Sequence, residues 1–273
     1  MNLNFMKSYV FISLLMLSFF TFSQESPLAI GEIHKMQSTQ LNEERTLNIY
    51  LPPSYSDTSD FPVFYVLDGS MNEDFLHLVG LIQFFNLQFK MPEVIVVGIA
   101  NVDRKRDFTF KTEVQSLNEK YPTSGHSEAF INFLKLELIP YVNNNFKVST
   151  ESYLIGQSLG GLLATEILLK EPKLFKHYLI VSPSLWWDNG SLKKDLPELV
   201  QKNRLKDLDV YISVGAKEHR IMRNDAAELY SLLKKAKLEN VIIDLEKLAH
   251  ENHATVLHQS IYRSLMKLFP FQE

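Results

Sequence analysis

Short aliphatic and β-branched runs alternate with longer amphipathic stretches along most of this chain. Arg45 to Leu51 alternates apolar and polar positions before Pro52-Pro53, the pattern of a partly exposed strand. Val63 to Leu67 and Val94 to Ile99 are continuous apolar runs, as parallel strands covered on both faces require. Tyr153 to Ile155, Tyr178 to Val181, Val210 to Val214 and Val241 to Leu245 repeat that theme. Between them, helical spacing predicts helices over Glu73 to Phe85, Glu128 to Val142, Leu159 to Leu169, Asp225 to Lys235 and Thr255 to Leu268. Strand and helix in regular alternation predict a mainly parallel sheet with helices on both faces. One segment, Asn101 to His126, is polar and aperiodic, and reads as a long loop. It follows a strand's C-terminal end, the edge at which open α/β sheets bind ligands, so it is expected to serve function.

The N-terminus departs from this pattern. Lys7 precedes an apolar run from Tyr9 to Phe22, and Thr21-Phe22-Ser23 stands before Gln24. That is the layout of a secretory signal cleaved after Ser23, the run being short of the roughly 20 apolar residues of a membrane span. Residues 1–23 are therefore read as a signal peptide, with an uncleaved anchor as the alternative, and 24–273 as a single domain in an envelope or extracellular space, without a stable membrane span after cleavage. Export without a single cysteine means that no disulfide holds the domain, and about 250 residues bury enough surface to fold without one. The lack of cysteine also excludes a thiol nucleophile and thiolate metal sites. With 28 Lys+Arg against 32 Asp+Glu and a formal charge of -4, the chain lacks the clustered cations of a nucleic-acid binder.

The chemistry concentrates in a few stretches. Gly156-Gln157-Ser158-Leu159-Gly160 matches G-x-S-x-G between an apolar strand and an apolar helix, and three of only ten glycines fall within six residues there. A serine raised on so tight a turn needs neighbours without side chains, so Ser158 is the expected nucleophile and the Leu159 N–H one oxyanion donor. A serine of this kind needs a base and an acid, in the chain order serine, acid, histidine. His253 lies between a strand and the last helix, where a base would reach the serine; His250 is the alternative, while His177 falls at the wrong sheet edge and His258 within the helix. Glu218, after a strand ending at Gly215, is the expected acid, with Asp188 and Asp225 as alternatives. The spacing of His250 and His253 is three, not the four of a zinc-binding H-E-x-x-H pair, so neither metal nor cofactor is expected. The Leu67-Asp68-Gly69 turn should supply the second oxyanion N–H, from Ser70 or else Met71. Trp186 and Trp187, the two tryptophans, are candidate walls of a substrate pocket, and Arg106, within Arg104-Lys105-Arg106, is a candidate contact for an acidic or phenolic substrate group.

Together with Arg106-Asp107-Phe108-Thr109, Ser182-Pro183-Ser184-Leu185-Trp186-Trp187 and Glu251-Asn252-His253, these stretches run in an order that resembles an esterase family of α/β-hydrolases. That family includes the enterochelin-type siderophore esterases and is related to feruloyl esterases and mycolyltransferases. The resemblance covers nearly all of the chain after residue 23. It implies an α/β-hydrolase fold and a serine esterase acting through an acyl-enzyme on Ser158, with His253 as base. It also leaves the third residue open, because some members work with a weakened or absent third residue. Only about 26 residues separate Val181 from Asp209, too few for a large cap domain. The substrate is expected to be a small-molecule or glycan-linked ester. A siderophore ester, a feruloyl or acetyl polysaccharide ester, acyl transfer through the same intermediate, and a non-catalytic binding role stand as alternatives.

Overall fold

A computed structural model describes residues 26–56 and 58–271. The expected signal peptide lies outside the described residues. Residues 26–30, which are what is described of the N-terminal unit Met1–Ile30, are exposed and carry no helix or strand. Gly31–Glu273 is a compact unit of its own, built around one mainly parallel sheet.

Its sheet has eight strands: β1 Glu32–Ser38, β2 Glu43–Tyr50, β3 Phe61–Leu67, β4 Ile95–Ile99, β5 Val148–Gln157, β6 His177–Val181, β7 Lys206–Gly215 and β8 Glu239–Leu248. Their order is β1-β2-β4-β3-β5-β6-β7-β8. The pairs β1–β2 and β2–β4 are antiparallel, and every pair from β4 through β8 is parallel. β1 carries no apolar run in EIHKMQS, which is why the pattern of hydrophobic positions does not predict it; it is an exposed edge strand held by its ladder with β2.

The period of two along a strand assigns its side chains to two separate cores. Val63, Tyr65 and Leu67 of β3 pack with the helices Leu159–Lys170 and Arg220–Lys235, whereas Phe64 and Val66 pack on the other face with Phe75–Phe89 and Val256–Leu268. Both faces being covered explains the unbroken apolar runs of β3 and β4.

The expected helix over Glu128 to Val142 is interrupted. Ser127–Phe133 and Ile139–Asn145 flank a π-helical turn, Leu134–Leu138. The stretch 101–126 is not a bare loop, contrary to its aperiodic sequence. It contains the short helices Arg104–Phe108 and Gln115–Lys120, and Phe110 bridges to His126. Its order comes from polar contacts that hydrophobic periodicity does not encode. Asp103 accepts from Arg106 N–H at 3.0 Å, capping the first helix, and the wholly buried Arg45 and Asp107 pair at 2.7 Å beneath it. Between β6 and β7 the described residues form a short 3-10 turn, Trp187–Gly190, and one α-helix, Ser191–Asn203, and no cap domain. None of the described helices is long and apolar enough to cross a membrane.

Candidate active site

The parallel strands end nearly level, so the segments that follow them lie side by side at one edge. β5 runs into Ser158, which has φ 60° and ψ −116° and opens the helix Leu159–Lys170. This left-handed backbone is costly for serine and persists because the surroundings fix it. Ser158 N–H donates to Val181 O at 3.0 Å, and Ser158 O accepts from Leu162 N–H and Ser184 N–H at 2.9 and 3.0 Å. Gly156 is required by the close approach of the helix: a Cβ there would stand 2.4 Å from Gly160 O. Leu159 N–H is in the helix's first turn, where amide groups have no intrahelical acceptor.

After β7, Glu218 is folded inward. Its side chain has no exposure, and Oε1 accepts from Gly215 N–H at 2.7 Å and from Ser182 Oγ at 2.5 Å. Its Oε2 lies 2.7 Å from His253 Nδ1. Burial pushes the Glu218 carboxyl toward its neutral form. The hydrogen bonds from His253, Ser182 and the Gly215 amide outweigh that burial and hold its pKa below the ordinary glutamate value. Because an ionised carboxylate only accepts, His253 Nδ1 is the donor and Nε2 is left as the basic nitrogen. His253 is exposed on its other side, and its backbone is tied to the residue before Ser158, Gln157 Nε2 donating to His253 O at 2.5 Å. Gly215 makes this junction possible, since a Cβ there would lie 2.5 Å from Glu251 O. Among the described residues the hydrogen-bond partner of Ser158 Oγ is Ser184 Oγ, at 3.3 Å, and not His253.

The other candidate acids and histidines, His250 apart, are engaged elsewhere. Asp188 accepts from Thr112 Oγ1 at 2.7 Å and Glu113 N–H at 3.1 Å, and Asp225 pairs with Lys193 at 2.6 Å. His177 sits between Glu151 and Asp209, and His258 stacks on His77. His250 is exposed in the turn after β8.

The structure seats the three candidate substrate contacts in different surroundings. Arg106 is not a free cation: its guanidinium is held by Glu43 at 2.6 and 2.9 Å and by Asp107 at 2.7 Å, which uses the fork of donors that a substrate group would need. Trp187 is a core residue, 1% exposed, with Nε1 donating to Phe110 O at 2.8 Å, so it cannot form a pocket wall. Trp186 is partly buried against that core and retains some surface. Ser70 N–H points to the Glu73 carboxylate at 3.3 Å, and an oxyanion would have to replace that acceptor.

Arg104, passed over in favour of Arg106, is the cation that reaches the site. Its Nε and Nη2 donate to the two Asp68 oxygens at 2.5 and 2.9 Å, and Nη2 also donates to Gln157 O at 3.1 Å. Asn101 adds a bond to Asp68 at 2.6 Å. This network joins the loops after β3 and β4 to the turn that carries Ser158. Beside it, Asp74 is pushed up to about 7 by burial first and then by the charges of Asp68 and Glu73, against the opposing pull of Arg104. Among the described residues no three His, Asp or Glu side chains converge as a metal site.

A family model described as "Putative esterase" matches residues 38–260. The chain is 28% identical over 260 residues to the ferri-bacillibactin esterase BesA of Bacillus subtilis (strain 168), covering 86% of this chain and 88% of that protein. Among solved structures, an IroE-like serine hydrolase from Shewanella oneidensis superposes with a TM-score of 0.80 at 28% identity, over 88% of this chain and 80% of the other. The BES protein from Bacillus cereus superposes with a TM-score of 0.79 at 27% identity, over 92% and 98%.

Proposed function

The chain belongs to this esterase family and is a carboxylic ester hydrolase, and from that premise we propose that it hydrolyses a siderophore ester through an acyl-enzyme on Ser158. The observation that carries the mechanism is the 2.7 Å contact between Glu218 and His253 beside the strained turn at Ser158. The Ser158 hydroxyl gives up its proton to His253 Nε2 and attacks the ester carbonyl. Glu218 holds the imidazole in the tautomer that leaves Nε2 basic and stabilises the imidazolium that follows. Charge developing on the carbonyl oxygen is taken by Leu159 N–H at the helix N-terminus and by Ser70 N–H once Glu73 yields it. His253 then protonates the leaving alcohol, and water repeats the sequence to release the acid.

The substrate class rests on the relatives and on charge. The likeness to a ferri-bacillibactin esterase runs through most of both chains. Around the Glu218–His253 pair, Lys217, Arg220 and Arg223 have no carboxylate partner among the described residues, which suits an anionic, oxygen-rich iron chelate. Residues 1–23 would direct export, and 24–273 would be the working domain; the N-terminal sequence of the mature protein, expected to begin at Gln24, tests both.

A fluorophosphonate probe should label the protein at Ser158. Hydrolysis of iron-loaded and iron-free trilactone siderophores, a feruloyl or acetyl polysaccharide ester and a short-chain p-nitrophenyl ester, each against Ser158→Ala, tests the rest. Undiminished hydrolysis by Ser158→Ala would sink the mechanism, and preference for the polysaccharide ester would sink the substrate assignment.

A further inference from the structure

The turn after β6, Ser182-Pro183-Ser184, has no part in the mechanism above, yet it touches both ends of the reacting set. Register explains why. Gln157 of β5 pairs with Val181 of β6, and Val181 pairs with Ser213 of β7. Neighbouring strands lie about 4.8 Å apart, so the segments after β5 and β7, which carry Ser158 and Glu218, are separated by about two such steps. The segment after β6 must fill that gap.

It fills it with hydroxyl groups. Ser184 is 2% exposed, and its Oγ has one hydrogen-bond partner among the described residues, Ser158 Oγ at 3.3 Å. The backbone reinforces this contact, Ser184 N–H donating to Ser158 O at 3.0 Å. Ser182 is wholly buried, and its Oγ donates to Glu218 Oε1 at 2.5 Å. Its φ of 43° lies in the region that non-glycine residues avoid, and Ser182 N–H is fixed to Ser213 O at 2.8 Å. A buried turn that keeps a strained serine and aims two hydroxyls at two reacting groups is over-determined for a simple connection.

We infer that this turn is a positioning element, in which Ser184 Oγ–H holds the Ser158 oxygen at its place of attack and Ser182 Oγ–H holds the Glu218 carboxylate against His253. The inference rests on the reading of Ser158 as nucleophile. A hydroxyl that donates to Ser158 Oγ does not block its proton, which remains free to go to His253 Nε2. As negative charge builds on Oγ during that transfer, the bond from Ser184 becomes charge-assisted and strengthens, so its contribution falls on the acylation step rather than on substrate binding. Ser182 acts at one remove. With its hydroxyl gone, the Glu218 carboxylate shares its charge with fewer donors, so Glu218 takes up a proton at higher pH.

The test measures the pseudo-first-order rate of fluorophosphonate labelling, and kcat and KM on a p-nitrophenyl ester across pH, for the wild type, Ser184→Ala, Ser184→Cys and Ser182→Ala. Ser184→Cys retains the volume with only a weak donor, and so covers the case in which alanine fails to fold. Both Ser184 variants should label about five- to tenfold more slowly, with KM within about twofold of wild type, the size expected for one hydrogen bond that strengthens in the transition state. Ser182→Ala should shift the acid limb of kcat/KM to higher pH, a readout that loose packing would not move. Either kind of variant matching wild type in its own assay overturns the proposal. A wild-type protein that takes no label would instead sink the parent reading of Ser158, and this one with it.

Discussion

Replacing Glu218 by glutamine is a sharp perturbation because it exchanges a single carboxylate oxygen for an NH2 group in a site whose donors are fixed. Oε1 accepts from the Gly215 amide at 2.7 Å and from Ser182 Oγ, and Oε2 faces His253 Nδ1 at 2.7 Å. The amide NH2 of glutamine must occupy one of those two places. It cannot face Gly215, whose N–H is held by the backbone between β7 and the turn, without setting donor against donor in a buried position. It therefore faces His253, and Nδ1 must become the acceptor. The proton moves to Nε2, and the nitrogen that should remove the Ser158 proton no longer has a lone pair. A wrong-tautomer defect of this type costs about a thousand- to ten-thousand-fold in kcat, or about 4 to 5.5 kcal/mol in the barrier. Stability should change much less. The glutamine carbonyl still satisfies Gly215 and Ser182, and the net worth of one altered hydrogen bond is about 1 kcal/mol. The assay is kcat on a p-nitrophenyl ester together with thermal melting of the same preparation. A Glu218→Gln protein that melts near wild type and retains kcat within about tenfold would refute the reasoning, since the tautomer would then be set by something other than this carboxylate.

Four further outcomes follow from particular contacts. Folded Glu218 has a depressed pKa, so its contribution to stability is present above the unfolded value and is lost as pH falls through the folded one; Glu218→Gln should flatten the acid side of the urea-denaturation profile. Asp74 has the opposite sign, its pKa being raised from 3.8 to about 7, so folding favours its neutral form and stability declines as pH rises between those values. Its partial exposure screens the full effect, and Asp74→Asn should gain about 1 to 2 kcal/mol at pH 8 and little at pH 4, as measured by urea denaturation. For His177, burial lowers the pKa, but hydrogen bonds to Asp209 and Glu151 outweigh it and raise it, so stability is present below the unfolded value near 6.5 and is lost as pH rises through the folded one. His177→Phe, which can retain the stacking on Tyr153 at 4.2 Å, should remove that alkaline decline, and an unchanged profile would count against the pairing. Gly156→Ala should destabilise by more than about 3 kcal/mol or prevent folding, since its Cβ meets Gly160 backbone atoms at 2.4 and 2.5 Å; a normal melting curve would disprove the overlap.

How much of this was legible in the sequence depends on whether a feature is written in local spacing or in contacts between distant segments. Six of the eight strands carry apolar runs and β2 alternates, and the sheet is most readable at β3 and β4, where burial on both faces leaves a continuous hydrophobic signature. β1 leaves none, since Ile33 is 63% exposed and pairing with β2, not packing, holds the strand. In the helix Ser191–Asn203, Leu192, Leu196 and Val200 do recur at helical spacing, but Pro197 breaks the signal in the middle. The turn at Ser158 is legible for the opposite reason, because the clash at Gly156 forces a residue choice that shows in the sequence itself. Roles of charged side chains are another matter. Arg104 and Arg106 stand two residues apart in one basic tripeptide, and nothing in their spacing says which meets the site. The choice is made by partners 36 and 63 positions away, Asp68 for Arg104 and Glu43 for Arg106. The two tryptophans divide in the same way, since Phe110, 77 positions earlier, supplies the acceptor that seats Trp187 in the core and leaves Trp186 at its margin. Sequence patterning thus identifies where a parallel sheet gathers its reactive loops, and long-range polar pairing decides which charged and aromatic residues on those loops remain available to a substrate.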